Sequence, residues 1–486
     1  MSSFQRLDTF EQLHIVSDLH IGGPPGGRIF GQPEVLAQVV NHLASVDPAR
    51  AVGLILNGDI VDFLLGPDAV YFDPITAVAK LERAFAPPFR QVLEALARFV
   101  DRPNRRLILV IGNHDLELAL PESQAWLTHE LTKQSEESER ARARISWCLD
   151  GCGYAALVGG HRVFVVHGND VDEWNVVDHE ALRKVVKATT MEVDPVSWSP
   201  NGGTSLVVDV INRAKEQYAF VDLLKPETPT GPVGEILATL PLRELPFNAA
   251  LRSYARKHFD RVRMKWGWLS APDAAAIASA QPGATGMTGA SYLEDAQREL
   301  DAGREPTDLI GLDADAILGL ANILFRRIEP GGDVNAALRT SLEQHLSEVA
   351  KTFDVGTEDE TFEALDRACG PAAFVVAGHT HLERSIQRRR FSGHYFNSGT
   401  WIRLIRLKSS WLKEPEFTQL LDALHTGTLE RLVQGGYTTC SNTVVAIERR
   451  GNEVIGELRH GHSAPAGTEP WEAVPNTQRR FTVRGE

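Results

Sequence analysis

The stretch Leu13-His-Ile-Val-Ser-Asp-Leu-His20 combines a short apolar run with a polar ending of a particular kind. An apolar run of this length, bounded by polar residues, is typical of a buried strand. Asp18 and His20 follow where the predicted strand ends. In α/β proteins ligand chemistry lies at the carboxyl ends of strands, so this stretch is a candidate for one part of a binding site.

Four other segments have the same design, because each places metal-binding residue types at the end of a predicted strand. They are Gly58-Asp-Ile-Val-Asp62, Gly112-Asn-His-Asp115, His167-Gly168 and Gly378-His-Thr-His381. Each segment alone is a weak signal, since a lone aspartate is more often a helix N-cap and a lone histidine an ordinary polar residue. Together they favour a metal site, because carboxylates, a carboxamide oxygen and imidazoles suit ions such as Mn, Fe and Zn.

The segments supply enough ligands for two adjacent ions, which need about seven or eight ligand positions and one bridging carboxylate. Asp59 is central in the series and is the predicted bridge. The predicted metal ligands are Asp18, His20, Asp59, Asn113, His167, His379 and His381.

The remaining strand and helix patterns divide the chain into parts. Strands are predicted at 51–56 and 106–111, in a hairpin at 154–166, at 373–376, 394–396 and 401–407, and in a late hairpin at 443–459. The alternation of strands with helices at the start of the chain indicates an α/β fold.

The long segment between residues 171 and 369 has helical patterns and little strand signal. We therefore expect a catalytic core from residues 1–170 plus 370–460 and a mainly helical insertion over residues 171–369. Residues 461–486 are polar and contain prolines, so we expect a flexible C-terminal tail.

The five motifs, in this order, resemble those of the calcineurin-like metallophosphoesterase superfamily. The resemblance implies a four-layer α/β/β/α sandwich of two mixed sheets, here with a large helical insertion. It implies that one ion is held by Asp18, His20, Asp59 and His381. It implies that the other is held by Asp59, Asn113, His167 and His379.

Two residues beside the ligands are the predicted catalytic groups. Two ions polarise a phosphoryl group and lower the pKa of a bridging water, which supplies hydroxide near neutral pH. His114 can contact the substrate phosphate as a cation or protonate the leaving group, and the resemblance implies this role too. It also implies that Asp62 orients His114. A helix cap is the alternative for Asp62, and it is the favoured interpretation of Asp115.

Departures within the motifs narrow the choice of branch. Phe63 and Asp115 stand where the protein Ser/Thr phosphatases of the superfamily have arginine and glutamate. The missing phosphate-binding arginine argues against a phosphoprotein phosphatase.

Three stretches resemble the bacterial UDP-diacylglucosamine pyrophosphatase branch, namely 17–22, 167–172 and 395–401. Asn169 stands where that branch usually has aspartate, and His114 where it often has arginine. These departures indicate a relative that acts on a different substrate.

The insertion leaves the core after His167 and returns before His379, so we expect a helical cap over the site. Residues 252–265 hold six Lys or Arg against one Asp. We expect them to bind an extended anionic substrate, with a solvated helix face as the alternative. The candidate substrate-binding residues are Arg252, Arg256, Arg261 and Lys265. The run Arg388–Arg390 is a second candidate near the site, with an exposed strand turn as the alternative.

Charge and composition limit the partners and the location. The 486 residues carry a net charge of −14, so any nucleic-acid contact has to be a local patch. We expect no membrane span and no secretory signal, because no apolar run is long enough and the N-terminus lacks the required layout. The chain has 4 cysteines, which excludes a disulfide scaffold, and we expect reduced thiols in a cytoplasmic protein.

These observations favour an enzyme that hydrolyses a phosphoester or pyrophosphate bond by means of a metal-bridging hydroxide. We expect a nucleotide or similar phosphorylated small molecule as substrate and two divalent ions, with manganese expected and iron or zinc as alternatives. A DNA or RNA nuclease with the same chemistry is the second hypothesis. A non-catalytic binding module is the third, and it is disfavoured because a scaffold has no physical need for seven ligands.

Overall fold

The computed structural model describes residues 7–65, 70–172, 175–191, 193, 218–225, 236, 239, 333–465 and 467–484. In chain order the strands are β1 (Asp8–Phe10), β2 (Gln12–Val16), β3 (Val52–Asn57), β4 (Arg105–Val110), β5 (Ile145–Cys148), β6 (Tyr154–Val158), β7 (His161–Val165), β8 (Phe374–Ala377), β9 (Glu383–Gln387), β10 (His394–Ser398), β11 (Thr443–Arg450), β12 (Glu453–Gly461), β13 (Trp471–Ala473) and β14 (Arg479–Thr482). The α-helices are α1 (Pro33–Ser45), α2 (Ala77–Ala84), α3 (Arg90–Asp101), α4 (Pro121–Thr132), α5 (Ser138–Arg142), α6 (His179–Thr190), α7 (Val334–Thr352), α8 (Glu360–Ala368), α9 (Glu416–His425) and α10 (Leu429–Gln434).

The strands of the described residues form two mixed sheets. The first has the order β1-β6-β7-β8-β10-β9, and the second has the order β13-β12-β11-β2-β3-β4-β5, with β14 also paired to β12. Within the second sheet β2, β3, β4 and β5 are parallel, whereas β11 is antiparallel to β2. In the first sheet β7, β8 and β10 are parallel.

The burial of alternate residues on the strands builds the layers. Ile15, Ile55 and Ile108 belong to a core shared with Val163 and Phe374 of the first sheet, so the two sheets pack face to face. Successive residues of a strand point to opposite faces. The intervening leucines of β3 and β4 therefore point the other way and pack on α1, α3 and α4.

A second helical layer covers the outer face of the first sheet. Phe362 and Leu365 of α8 pack against Val375 and Tyr395 of that sheet. The predicted four-layer α/β/β/α sandwich of two mixed sheets is confirmed.

Helix α1 shows how the local sequence produces this packing. Pro33 occupies the first turn, where its missing N–H is not needed. Val35, Val39 and Leu43 recur at intervals of four residues and are all buried, so one apolar stripe faces the second sheet.

The register of the sheets brings the motif segments to one edge. Ile15 pairs with Ile55, and Ile55 with Ile108, so β2, β3 and β4 end side by side. In the first sheet Val165 pairs with Val376, which places the ends of β7 and β8 together. The five motifs follow these five strands directly.

The chain divides into two compact units that differ from the predicted boundaries. One unit contains Met1–Ser205, Glu348–Arg406 and Leu429–Glu486, and the other contains Leu206–Ser347 and Leu407–Thr428. The sequence placed residues 407–428 in the core. Their contacts explain the difference, because Ala219 N–H donates to the Gly427 carbonyl (2.9 Å) and Arg339 lies over the Phe417 ring (6.0 Å).

The predicted strand at 401–407 is wrong. Among the described residues this segment makes isolated bridges, such as Ile402 with Phe30 and Leu404 with Thr439, and no continuous strand. The buried Trp401 ring directs its Nε1–H to the Thr443 carbonyl (3.0 Å). The segment therefore crosses the end of the second sheet, and its apolar side chains are buried without a continuous strand partner.

The predicted flexible tail is also wrong where it contains strands β13 and β14. Gly461 pairs with Trp471, and Gly456 pairs with Arg479. The nine-residue strand β12 has β11 on one side only, and β13 and β14 supply partners on the other side. Unpaired backbone groups at a sheet edge favour such pairing.

Among the described helices, none combines the length and the apolar character that a membrane span requires. Residues 240–332 of the predicted helical insertion lie outside the described residues. So do the four basic residues predicted to bind substrate.

Buried His394 should make the stability of the core depend on pH. Burial, with a contribution from Arg479, lowers its pKa to about 3, and the ring is held by Ser385 Oγ (2.9 Å) and Arg479 Nε (3.3 Å). Between pH 6.5 and about 3 the unfolded chain therefore binds a proton that the native chain does not. The free energy of unfolding should fall by about 1.4 kcal/mol per pH unit as the pH decreases through this window.

Urea denaturation at a series of pH values measures this slope. We expect His394→Asn to reduce the slope between pH 6 and pH 4 relative to the wild type. The exposed His462 provides the control, and His462→Asn should leave the slope unchanged. Equal slopes for the wild type and His394→Asn would contradict the prediction.

Candidate metal centre

The predicted ligands converge at the edge where the motif-bearing strands end. His20 Nε2 lies 3.1 Å from His381 Nε2, and His381 Nε2 lies 3.4 Å from Asp18 Oδ1. His167 Nε2 lies 3.3 Å from Asp59 Oδ2, and the rings of His167 and His379 are 5.4 Å apart. Residues more than 300 positions apart in the chain therefore share one site.

The side chains form two groups that could each hold an ion. In the first, one ligand atom each from Asp18, His20 and His381 lies within 4.8 Å of the others. In the second, the same holds for Asp59, His167 and His379. These groups correspond to the two sets of predicted ligands.

Asp59 lies between the two groups. Its Oδ2 is 3.3 Å from His167 Nε2 and 3.7 Å from His20 Nε2, so one carboxylate oxygen faces a histidine of each group. Its Oδ1 accepts a hydrogen bond from the backbone N–H of His114 (2.9 Å). This contact also places Asn113, the preceding residue, beside the second group. The geometry agrees with the bridging position predicted for Asp59.

Hydrogen bonds on the opposite ring nitrogens orient two of the histidines. His167 Nδ1–H donates to the Asn57 carbonyl (2.8 Å), and His20 Nδ1–H donates to Asp62 Oδ2 (2.9 Å). In the neutral form of each ring the lone pair is therefore on Nε2, which faces the site. Metal-binding histidines are usually held in this way.

Several buried polar atoms of the described residues have no hydrogen-bond partner, and two of them belong to predicted ligands of the second ion. They are Asn113 Oδ1 and His167 Nε2, and both residues are 3% exposed. A buried polar atom without a partner costs about 1–3 kcal/mol. An amide oxygen and an imidazole nitrogen next to a carboxylate are suitable ligands for a divalent cation.

The electrostatics of the site favour positive charge at its centre. Burial alone would lower the pKa of His167, but the Asp59 carboxylate raises this pKa to about 10. Burial alone would raise the pKa of Asp59, but the charges of His167, His114 and His20 hold it well below its usual range. The site therefore keeps its carboxylate ionised and attracts a cation, and a metal ion would displace the proton on His167.

The backbone of the site is strained. In the described part of the chain, nine non-glycine residues have a positive φ, and five of these are predicted ligands. The five are Asp18 (53°), His20 (45°), Asp59 (49°), His379 (70°) and His381 (61°). Such conformations cost about 1–3 kcal/mol each and concentrate at functional sites.

Two motif glycines are required by close approach. A Cβ on Gly112 would overlap Asp59 Oδ1, and a Cβ on Gly58, whose φ is +79°, would overlap the ring of His167. Only glycine lets these backbone segments come so near the ligands.

Asp62 and His114 lie together, as predicted. Asp62 Oδ2 is 3.2 Å from His114 Nδ1 as well as 2.9 Å from His20 Nδ1. Burial alone would raise the pKa of Asp62, but His114 and His20 hold it well below its usual range. The side chain of His114 is 15% exposed, against 2–3% for Asp62 and His20. His114 is therefore the accessible member of the three.

The interpretation of Asp115 as a helix cap is wrong. Its side chain makes no capping bond to the 3-10 helix Leu116–Ala119 that follows. Its two oxygens instead accept hydrogen bonds from the backbone N–H groups of Ile60 and Gly112, both at 2.7 Å. Burial, together with the nearby Asp59, raises the pKa of Asp115 to about 7. Asp115 joins the loops after β3 and β4, a contact that local spacing could not predict.

Arg388, in the second basic run, is a structural residue. It is 4% exposed, and its guanidinium binds Asp366 Oδ1 (3.0 Å) and the Gly370 carbonyl (2.9 Å). Arg389 is paired with Glu358. These contacts tie α8 to the first sheet and contradict the interpretation of Arg388 as an anion-binding residue.

One residue at the site was missed by the sequence reasoning. Asp172 Oδ2 lies 3.0 Å from His379 Nε2. The only sequence feature that marks Asp172 is its place in the segment 167–172, which resembles a stretch of the pyrophosphatase branch.

A two-sheet sandwich with a site of aspartates, histidines and an asparagine at its strand ends defines a class of metal-dependent phosphoester hydrolases. Residues 12–230 match the family model of calcineurin-like phosphoesterases. This match contains the first four motifs, and the fifth, 378–381, joins the same site in the structure. The match supports a place for this part of the chain among the calcineurin-like phosphoesterases. Comparison with curated proteins gives no match.

Proposed function

We propose that this chain hydrolyses a phosphodiester or pyrophosphate bond of a nucleotide or similar small molecule with the aid of two divalent ions. The proposal rests on the position of Asp59 Oδ2, which faces a histidine of each ligand group at 3.3 and 3.7 Å. One ion would be held by Asp18, His20, Asp59 and His381. The other would be held by Asp59, Asn113, His167 and His379. Oxygen and imidazole ligands in this mixture favour manganese, with iron or zinc as alternatives.

The bound ions would supply Lewis acidity toward the phosphoryl group and a water of lowered pKa. His114 would contact the phosphate or donate a proton to the leaving oxygen. The position of Asp62 supports this role of His114. The Asp62 carboxylate lies 3.2 Å from His114 Nδ1, so Nε2 of the same ring points away from Asp62. The greater exposure of His114 leaves that nitrogen accessible to a substrate.

The surroundings support a substrate other than a phosphoprotein. Phe63 stands where the protein phosphatases have a phosphate-binding arginine, and it is 1% exposed. A buried phenyl ring cannot grip a phosphate, so phosphate recognition here depends on the metal centre and His114.

A panel of phosphoesters with controlled metal tests this function. The panel contains bis-p-nitrophenyl phosphate, mononucleotides, nucleotide pyrophosphates and single- and double-stranded DNA. Chelation should abolish hydrolysis, and added Mn²⁺ should restore it, because the ligands hold exchangeable divalent ions. We expect the diester and the nucleotide pyrophosphates to be cleaved faster than the mononucleotides.

Metal analysis of the purified protein accompanies the panel, with two ions expected per chain. Hydrolysis that persists in chelator, or a protein that binds no divalent ion, would contradict the proposed function. Preferential cleavage of DNA would instead support the nuclease hypothesis.

A further inference from the structure

Asp172 contacts a predicted metal ligand from a segment that none of the five motifs includes. Its Oδ2 lies 3.0 Å from Nε2 of His379. The side chains are 27% and 10% exposed, respectively, so the contact is partly shielded from water. We propose that Asp172 is a positioning residue that orients His379 toward the second ion. This inference rests on the proposed dimetal function.

The hydrogen bonds around Asp172 assign the proton on the His379 ring. The same carboxylate oxygen accepts a hydrogen bond from Asn175 Nδ2 (2.8 Å), which holds the carboxylate in place. An ionised carboxylate only accepts hydrogen bonds, so the neutral His379 ring must donate through Nε2. Its lone pair is then on Nδ1, the nitrogen left for an ion.

His379 is held at a second point by its backbone. Its N–H donates to the Asp18 carboxylate, at 3.1 and 3.0 Å from the two oxygens. Its φ of 70° is the largest among the positive-φ ligands. The backbone contact fixes where the residue is, and Asp172 fixes which way the ring turns. The backbone contact with Asp18 links His379 to the first ligand group, whereas the ring contact with Asp172 does not involve that group.

The backbone of Asp172 makes hydrogen bonds to described residues on both sides. The Asp172 N–H donates to the Asn169 carbonyl (3.1 Å), and the Asn175 N–H donates to the Asp172 carbonyl (2.9 Å). Asp172 lies close to His167 in the sequence, so one short segment supplies a ligand of the second ion and the residue that orients another. Residues that hydrogen-bond to a metal-binding histidine typically change metal affinity by 10–100-fold when they are removed.

Metal titration of Asp172→Ala and Asp172→Asn tests the proposal. Isothermal titration with Mn²⁺ should show two ions per wild-type chain. In Asp172→Ala we expect the affinity for one ion to fall by about 10–100-fold, with the other unchanged. Asp172→Asn should have a smaller effect, because its amide oxygen can still accept the hydrogen bond of His379.

Electron paramagnetic resonance at two equivalents of Mn²⁺ provides a second measurement. The coupled signal of an ion pair should be weakened in Asp172→Ala in favour of a single-ion signal. Asp170 is the matched control, since it lies two residues before Asp172 and contacts Asn169 (3.1 Å) and His179 (3.5 Å), not a ligand of the predicted set. Asp170→Asn should behave like the wild type.

The outcomes separate this proposal from the proposed function. A merely structural role would lower both affinities and the melting temperature together, and it would overturn the positioning role. Wild-type affinity for both ions in Asp172→Ala would also overturn it while leaving the dimetal function intact. A wild-type protein that binds fewer than two ions would overturn both proposals.

Discussion

Asp59→Asn should remove the metal ions and with them the hydrolytic activity. The carboxylate faces both ligand groups, and the substituted amide has lost the charge that attracts two cations and presents N–H donors where lone pairs are needed. We expect metal affinity to fall by more than about 100-fold, beyond the range found for residues that only orient ligands. Elemental analysis after gel filtration measures the loss.

The control for this variant is an aspartate outside the site. Asp101, at the end of α3, is exposed, and Asp101→Asn should keep the wild-type metal content and activity. Circular dichroism should show that Asp59→Asn is folded, because the sheets pack through apolar side chains away from this edge. Retention of two tightly bound ions by Asp59→Asn would refute the bridging role.

His114→Ala should separate the chemistry from metal binding. The contacts of His114 Nδ1 are with Asp62, and its ring lies edge-on to His20 at 4.9 Å. Removing the ring therefore leaves every predicted ligand in place. We expect metal content near that of the wild type and a decrease in kcat of about 100-fold or more, the usual effect of one acid–base group.

Steady-state kinetics on a diester, with metal analysis of the same sample, checks this prediction. A replacement of the exposed His129 in α4 is the matched control, and His129→Ala should leave kcat and metal content unchanged. If His114→Ala loses its ions, His114 is a ligand and the assigned role is wrong. If kcat is unchanged, His114 takes no part in the reaction.

The motif segments could be recognised from the sequence because their information is local. In the stretch 13–20 a buried strand is followed at once by Asp18 and His20, and in the stretch 51–62 a buried strand is followed by Asp59. Each short stretch therefore identifies both the strand and the ligands at its carboxyl end. The carboxyl ends of parallel strands meet at one edge, so the convergence of the ligands follows from the strand pattern. In the structure the predicted ligands do lie together at this edge.

Contacts between distant segments could not be predicted in this way. Asp115 has the spacing of a helix cap, yet it accepts hydrogen bonds from Ile60, 55 positions away. Asp62 was expected to orient His114, and it also binds His20, a contact that the sequence did not predict. In both cases the second partner comes from a neighbouring strand end, which only the register of the sheet brings within reach.

The sequence by itself predicted the sandwich class, the resemblance to the calcineurin-like phosphoesterases and the residues that meet at the candidate metal centre, except Asp172. Only the tertiary structure decided that residues 401–407 cross the end of the second sheet, that β13 and β14 pair with β12, and that Asp172 contacts His379. The physical reason is that strand and ligand patterns repeat over a few residues. Edge pairing and side-chain hydrogen bonds, by contrast, depend on which distant segments the packed sheets bring within about 3 Å of each other.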